Sequence, residues 1–316
     1  MYMEHRRIDL KIDVPGATGV QLAATIHLPP ADRLGLRPPL MICMPGAGYN
    51  RLYYDLPEPG YSQAEHHTGQ GMVLIALDHL GVGESTVPPP ENCTMADVAA
   101  ANSAVVRVLL DGLRQGTFTG GQIVEPSAII GVGQSMGGFV AVAMQARYRP
   151  FDAIATLGSS MVCTRLPSRQ SGQELRFAGD ADPVQAAGEL MMKADWKFGF
   201  HWEDVPEHLV ATDIASKPPT FGPVAPWGSK TIPYIVDLVL PGAMAREAAA
   251  IDVPVLVAMG ERDVCQDPLR ELAAFHSTRD LALTIIPRMA HMHNFAGTRA
   301  QLWRRLDAFA AQIAAS

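Results

Sequence analysis

The chain has 316 residues, of which 48% are hydrophobic and 18% charged, a composition that supports a globular protein with a sizeable buried core. Its 25 lysines and arginines face 32 aspartates and glutamates, a net charge of −7 without a basic stripe. This argues against a nucleic-acid partner, because phosphate binding needs clustered cations. The longest apolar runs are a few residues, as in Met72–Leu77, which argues against a membrane span, and Met1–Arg7 lacks the apolar stretch of a secretory leader.

In chain order, residues 5–14 and 19–28 alternate loosely about Pro15-Gly16-Ala17-Thr18 and predict an N-terminal β-hairpin. A proline-rich link (Pro29-Pro30, Pro38-Pro39) leads to a short apolar strand, Leu40–Met44, which ends at Pro45-Gly46-Ala47-Gly48. A second strand, Met72–Leu77, ends at Asp78-His79-Leu80-Gly81-Val82-Gly83-Glu84-Ser85. Residues 95–115 carry Val98, Ala101, Val105, Val108 and Leu109 at helical spacing. The run Ser127–Val132 is a third strand, entering a small-residue helix after Ser135. Asp152–Leu157, Val253–Met259 and Leu281–Ile286 are further strands, and residues 298–314 form an amphipathic C-terminal helix. Short continuous apolar strands alternating with helices predict a mostly parallel sheet covered on both faces, with its ligand at the carboxyl ends of the strands.

Residues 159–250 break this rhythm. They hold three of the four tryptophans (Trp196, Trp202 and Trp227), with Phe198, Phe200, Tyr234, Met191, Met192 and many prolines. The stretch is expected to be an inserted, mainly helical cap over the site, leaving residues 1–158 and 251–316 as the core. The cysteines Cys43, Cys93, Cys163 and Cys265 are far apart and lack metal-like pairing. They are expected to be free thiols of a cytoplasmic protein.

The chemistry concentrates at Gly133-Gln134-Ser135-Met136-Gly137, which fits G-x-S-x-G between a strand and a helix. A nucleophile on so tight a turn sits in strained backbone, and side chains two residues either side would collide with the turn. The helix N-terminus favours negative charge developing there. A serine needs a base and the base an orienting acid. Asp263 follows the strand Val253–Met259, and His291 follows Leu281–Ile286, giving the order Ser135, Asp263, His291.

On these residues the chain resembles the α/β-hydrolase superfamily over roughly residues 38–158 and 251–314. Four features carry the likeness: Pro45-Gly46-Ala47-Gly48, the Asp78–Ser85 loop, the Ser135 turn, and the Asp263/His291 pair. The resemblance implies the fold of that name and a Ser135–His291–Asp263 triad. Gly260-Glu261-Arg262-Asp263 matches the family's G-x-x-D, with Glu261 and Asp267 as alternative acids. Ala290-His291 matches its small-residue–histidine pattern, with His293 as the rival base. The resemblance also implies two oxyanion donors, the N–H of Met136 and that of Ala47, with Gly46 and Gly48 as alternatives to Ala47. Proline at position 45 departs from the family's usual H-G-x. The Tyr49 hydroxyl is a further candidate neighbour of the site.

Competing readings are weaker. Gly131-x-Gly133 and Gly46-x-Gly48 open like a dinucleotide fingerprint, but Met136 and Arg51 stand where its third glycine belongs. Glu65-His66-His67 and His291-x-His293 lack zinc-hydrolase spacing and are read as loop or surface groups. Serine at the turn argues against the aspartate-nucleophile branches of the superfamily. The sequence thus points to a serine hydrolase that cleaves an ester, thioester or lactone of a small to medium hydrophobic substrate through an acyl-enzyme, needing neither cofactor nor metal. Carbon–carbon bond hydrolysis, acyl transfer by the same residues, and a weakly catalytic ligand-binding homologue stay open. Oligomeric state is not legible.

Overall fold

A computed structural model of the chain describes residues 5–169, 175–176, 192–233, 240–265 and 267–316. Arg6–Asp13 (β1) and Gln21–Leu28 (β2) pair antiparallel, with Arg6 opposite Leu28. The chain then lays down Leu40–Met44 (β3), Val73–Leu77 (β4), Ile129–Gln134 (β5) and Ala153–Leu157 (β6). A short ribbon pairs Arg165–Leu166 (β7) with Leu175–Arg176 (β8). Val255–Arg262 (β9) and Leu281–Ala290 (β10) complete the main sheet. Its order is β1-β2-β4-β3-β5-β6-β9-β10, antiparallel at the first two joins and parallel from β4 to β10.

The central strands are buried along their length because helices cover both faces of the sheet. Side chains alternate between two separate cores. Leu40, Ile42 and Met44 join one face, while Met41 and Cys43 join the other. On the first face pack Met95–Gln115 (α2) and Met136–Tyr148 (α3), through Val105, Leu109, Val140 and Ala143. The start of α2 is fixed by a capping box between Thr94 and Asp97, and left-handed Gly116 closes its end. The second face is covered by Gln63–Gly69 (α1) and the C-terminal helix Arg299–Ala315, which inserts Leu302, Leu306 and Phe309.

The last two strands differ from the sequence expectation at their ends. β9 starts two residues later, at Val255, because Pro254 has no N–H for the ladder. β10 runs on to Ala290 but loses register between Ile286 and Ala290, where Pro287 interrupts the pairing.

The described residues of 159–250 include the short helices Trp196–Phe200 (α4), Glu207–Ile214 (α5) and Ala245–Ala249 (α6). Trp196, Phe200, Leu209 and Trp227 pack onto the second core, whereas Met244 and Ala248 rejoin the first. Met191 and Tyr234 lie outside the described residues. Among the described residues, no helix is long and apolar enough to cross a membrane.

Candidate active site

Ser135 stands between β5 and α3 with φ 52° and ψ −117°, a conformation that costs a non-glycine residue about 1–3 kcal/mol. The corner holds because its main chain is tied down: Ser135 N–H donates to Leu157 O at 2.7 Å, and Ser159 Oγ donates to Ser135 O at 2.7 Å. The two flanking glycines are steric requirements. A Cβ on Gly133 would strike the Gly137 carbonyl, and one on Gly137 would strike the Met44 carbonyl.

The other two chain-distant residues meet this serine. His291, just past β10, places Nε2 3.0 Å from Ser135 Oγ and Nδ1 2.7 Å from Asp263 Oδ1. Asp263, just past β9, also accepts from Gly260 N–H at 2.9 Å and Val264 N–H at 2.8 Å. Its second oxygen lies 2.7 Å from His293 Nε2. Burial pushes the Asp263 carboxyl up, but the electrostatic pull of the His293 and His291 rings beside it and the hydrogen bonds they make outweigh it and hold the group well below the usual carboxylate range. An ionised Asp263 can only accept, so His291 Nδ1 carries the proton that faces it, leaving Nε2 to accept from the Ser135 hydroxyl. The His291 loop is anchored by its N–H to Gly199 O at 3.2 Å and by Gln134 Nε2, which donates to His291 O at 3.0 Å.

The alternative acids lie elsewhere. Glu261 accepts from Arg288 N–H at 2.8 Å, and Asp267 lines a separate small hollow with Arg270 and Glu271. His293 touches Asp263 but not Ser135. Gly46 and Ala47 border the same cavity as Ser135, and Met136 opens α3. Among the described residues, neither the Ala47 nor the Met136 N–H donates to a protein acceptor. The loop carrying Ala47 is braced from below: His79 Nε2 donates to Pro45 O at 2.9 Å and His79 Nδ1 accepts from Asn102 Nδ2 at 2.8 Å.

The cavity beside Ser135 has a volume of about 140 Å³ and mainly apolar walls, among them Leu166, Trp196, Phe200, Ile232, Val264 and Met292. Of the other residues expected in the cap, Phe198 and Trp202 flank the Arg262 guanidinium at 3.9 and 4.5 Å, and Met192 is exposed. The Tyr49 ring lines the cavity, while its hydroxyl donates to Asp213 Oδ2 at 2.7 Å. Asp213 also receives Trp227 Nε1 at 2.7 Å and His201 Nε2 at 2.9 Å. Lys217 borders the cavity as well. Asp213, Lys217 and the Gln134 tether escape sequence reasoning, because nothing in their spacing marks them.

Two histidine–carboxylate groups, His5–His27–Asp55 and His66–His67–Asp307, have potential ligand atoms within 4.8 Å of one another. Neither lines the cavity. His67 is not the surface group expected from sequence: it is buried, with Nδ1 2.6 Å from Asp307 on the C-terminal helix. None of the four cysteines is in a disulfide, and Cys43, Cys93 and Cys265 are buried.

The sequence model of the alpha/beta hydrolase family matches residues 41–302. Solved structures share the fold at low sequence identity. An esterase from Thermogutta terrifontis is 17% identical with a TM-score of 0.59, covering 96% of this chain and 98% of its own. A proline iminopeptidase from Mycobacterium smegmatis is 17% identical with a TM-score of 0.59, covering 97% and 98%. The 2-hydroxy-6-oxo-6-phenylhexa-2,4-dienoate hydrolase of a Rhodococcus strain is 18% identical with a TM-score of 0.57, covering 97% and 99%. No curated protein matches in sequence.

Proposed function

The chain belongs to the alpha/beta hydrolase family, and from that premise we propose that it is a serine hydrolase acting on a small ester or thioester whose acyl group is mainly apolar. The observation that carries this reading is the unbroken contact from Ser135 Oγ through the His291 ring to Asp263, at 3.0 and 2.7 Å, beside an apolar cavity.

In the first half-reaction, Ser135 Oγ attacks the acyl carbon while His291 Nε2 takes its proton. Asp263 holds the imidazole in the right tautomer and steadies the imidazolium. Negative charge moves to the former carbonyl oxygen, which the Ala47 and Met136 N–H groups receive; the absence of acceptors for these amides among the described residues supports that role. Collapse breaks the bond to the leaving group, which departs with the proton from His291. In the second half-reaction His291 deprotonates a water, whose oxygen attacks the acyl-enzyme, and Ser135 leaves with the proton restored. The insertion 159–250 is the cap of this site: Leu166, Trp196, Phe200, Lys217 and Ile232 come from it to the cavity wall and keep bulk water away from the reacting bond.

The reading is tested with p-nitrophenyl esters and acyl thioesters of two- to eight-carbon acids. Turnover by the wild type that is lost in Ser135→Ala supports it. Turnover that survives Ser135→Ala contradicts it.

A further inference from the structure

Lys217 is the only lysine or arginine among the described residues that line the Ser135 cavity. Its ammonium sits in an aromatic cage, 4.9 Å from the Tyr49 ring centroid and 5.8 Å from those of Trp196 and Phe200. The main chain opposite makes room for it, since a Cβ on Gly48 would come within 3.0 Å of Lys217 Nζ. Among the described residues no carboxylate reaches ion-pair distance. The charge of Asp213 acts on it, yet the Asp213 oxygens are taken by Tyr49, His201 and Trp227. Burial pushes the Lys217 ammonium down and the Asp213 charge pulls it back only in part. A cation whose role was to neutralise Asp213 would close on it; this one is held off, ringed by π-faces, at the wall of the reaction cavity. Aromatic faces satisfy an ammonium only partly, and its three N–H donors are strongest toward an anion.

The cavity lined by both Ser135 and Lys217 has a volume of about 140 Å³, which limits the size of the group that fits there. A protein cavity of about that size accommodates a molecule like benzene, so only a short chain fits. One ammonium, with no second lysine or arginine among the described lining residues, matches a single negative charge better than a phosphate.

We propose that the acyl group accepted at Ser135 carries a carboxylate at its far end, bound by Lys217, so that the preferred substrates are half-esters or half-thioesters of short dicarboxylic acids. This rests on the serine-hydrolase reading given above and narrows it: the middle of the acyl chain meets the apolar wall and its end meets the charge.

The test compares p-nitrophenyl hydrogen glutarate with p-nitrophenyl pentanoate, which differ in the terminal carboxylate, on wild type, Lys217→Met and Lys217→Arg, with Ser135→Ala as the background. The wild type is expected to favour the half-ester in kcat/KM. That preference should fall about 10- to 100-fold in Lys217→Met, the range for a lost hydrogen bond to a charged group, and return in large part in Lys217→Arg. A wild type that favours the neutral ester overturns the proposal even if Lys217→Met fails to fold. So does a preference that Lys217→Met leaves in place. The two readings are separated by titrating inert Ser135→Ala with monomethyl glutarate and methyl pentanoate. Carboxylate-dependent binding that disappears in the Ser135→Ala/Lys217→Met double variant, without turnover in the wild type, overturns the serine reading alone. Turnover at Ser135 without carboxylate preference overturns the Lys217 assignment alone.

Discussion

Asp263 divides its two carboxylate oxygens between two histidines: Oδ1 lies 2.7 Å from His291 Nδ1 and Oδ2 lies 2.7 Å from His293 Nε2. Only His291 continues to Ser135. One carboxylate therefore orients the ring facing the serine and locks the loop that bears it, Ala290 to Asn294.

Asp263→Asn is expected to lower kcat by roughly 10³- to 10⁴-fold with the fold retained, because an amide NH₂ facing His291 favours the wrong tautomer. Circular dichroism checks the fold and steady-state kinetics on the best ester checks the rate. A loss below tenfold contradicts the assignment of Asp263 as the orienting acid.

The histidines should separate by the same assay. His291→Ala removes the base and should cost roughly 10⁴-fold or more. His293→Gln removes one charge-assisted hydrogen bond to Asp263, whose loss is worth about 1.5 kcal/mol or about tenfold in rate. If His293→Gln is the inert variant and His291→Ala turns over, the roles are reversed.

Backbone strain at the turn gives a stability prediction. Ser135→Ala and Ser135→Gly both lose the hydroxyl, but only glycine is at ease at φ 52°. Ser135→Gly should be the more stable of the two by about 1 kcal/mol, the strain relieved exceeding the extra chain entropy lost. Urea denaturation of the two inactive variants measures the difference. Equal midpoints would mean that the turn is not strained.

Acid should destabilise the protein through a residue outside the reaction. Burial drives His79 down to about 4, only partly opposed by its hydrogen bond to Pro45 O. The folded state thus keeps His79 neutral while the unfolded chain protonates near 6.5. Between these values the unfolded state binds more protons, so stability is fully present above about pH 6.5 and falls as pH drops toward 4. The drop from 6.5 to about 4 corresponds to about 3 kcal/mol. Protonation would turn Nδ1 from an acceptor of the Asn102 amide into a donor aimed at it. His79→Gln keeps hydrogen-bonding capacity without titrating, so denaturation midpoints from pH 7 to 5 should fall less steeply in this variant. Identical pH slopes would assign the acid sensitivity to other groups.

The sheet is legible in the sequence because runs such as Leu40–Met44 and Val73–Leu77 are short and apolar on consecutive residues, as suits a strand buried on both faces. The serine turn is legible because sterics leave glycine at 133 and 137 and nothing else. Ser135, Asp263 and His291 each follow a strand, so a parallel sheet brings them to the same end, where they meet. The choice between His291 and His293 is different in kind. It depends on loop geometry after the register break at Pro287, which no spacing encodes. Lys217 and Asp213 are illegible for a related reason: their segment has no periodicity, and their role comes from aromatic residues that the fold gathers from positions 49, 196, 200 and 227.

The central claim is that Ser135 is an activated nucleophile, and the most direct measurement is fluorophosphonate labelling of the purified protein, read by intact mass and peptide mapping beside a Ser135→Ala control. One label per chain, mapped to the peptide containing Ser135 and absent from the control, is the expected result. Folded wild-type protein that takes no label, or takes it equally in Ser135→Ala, contradicts the claim.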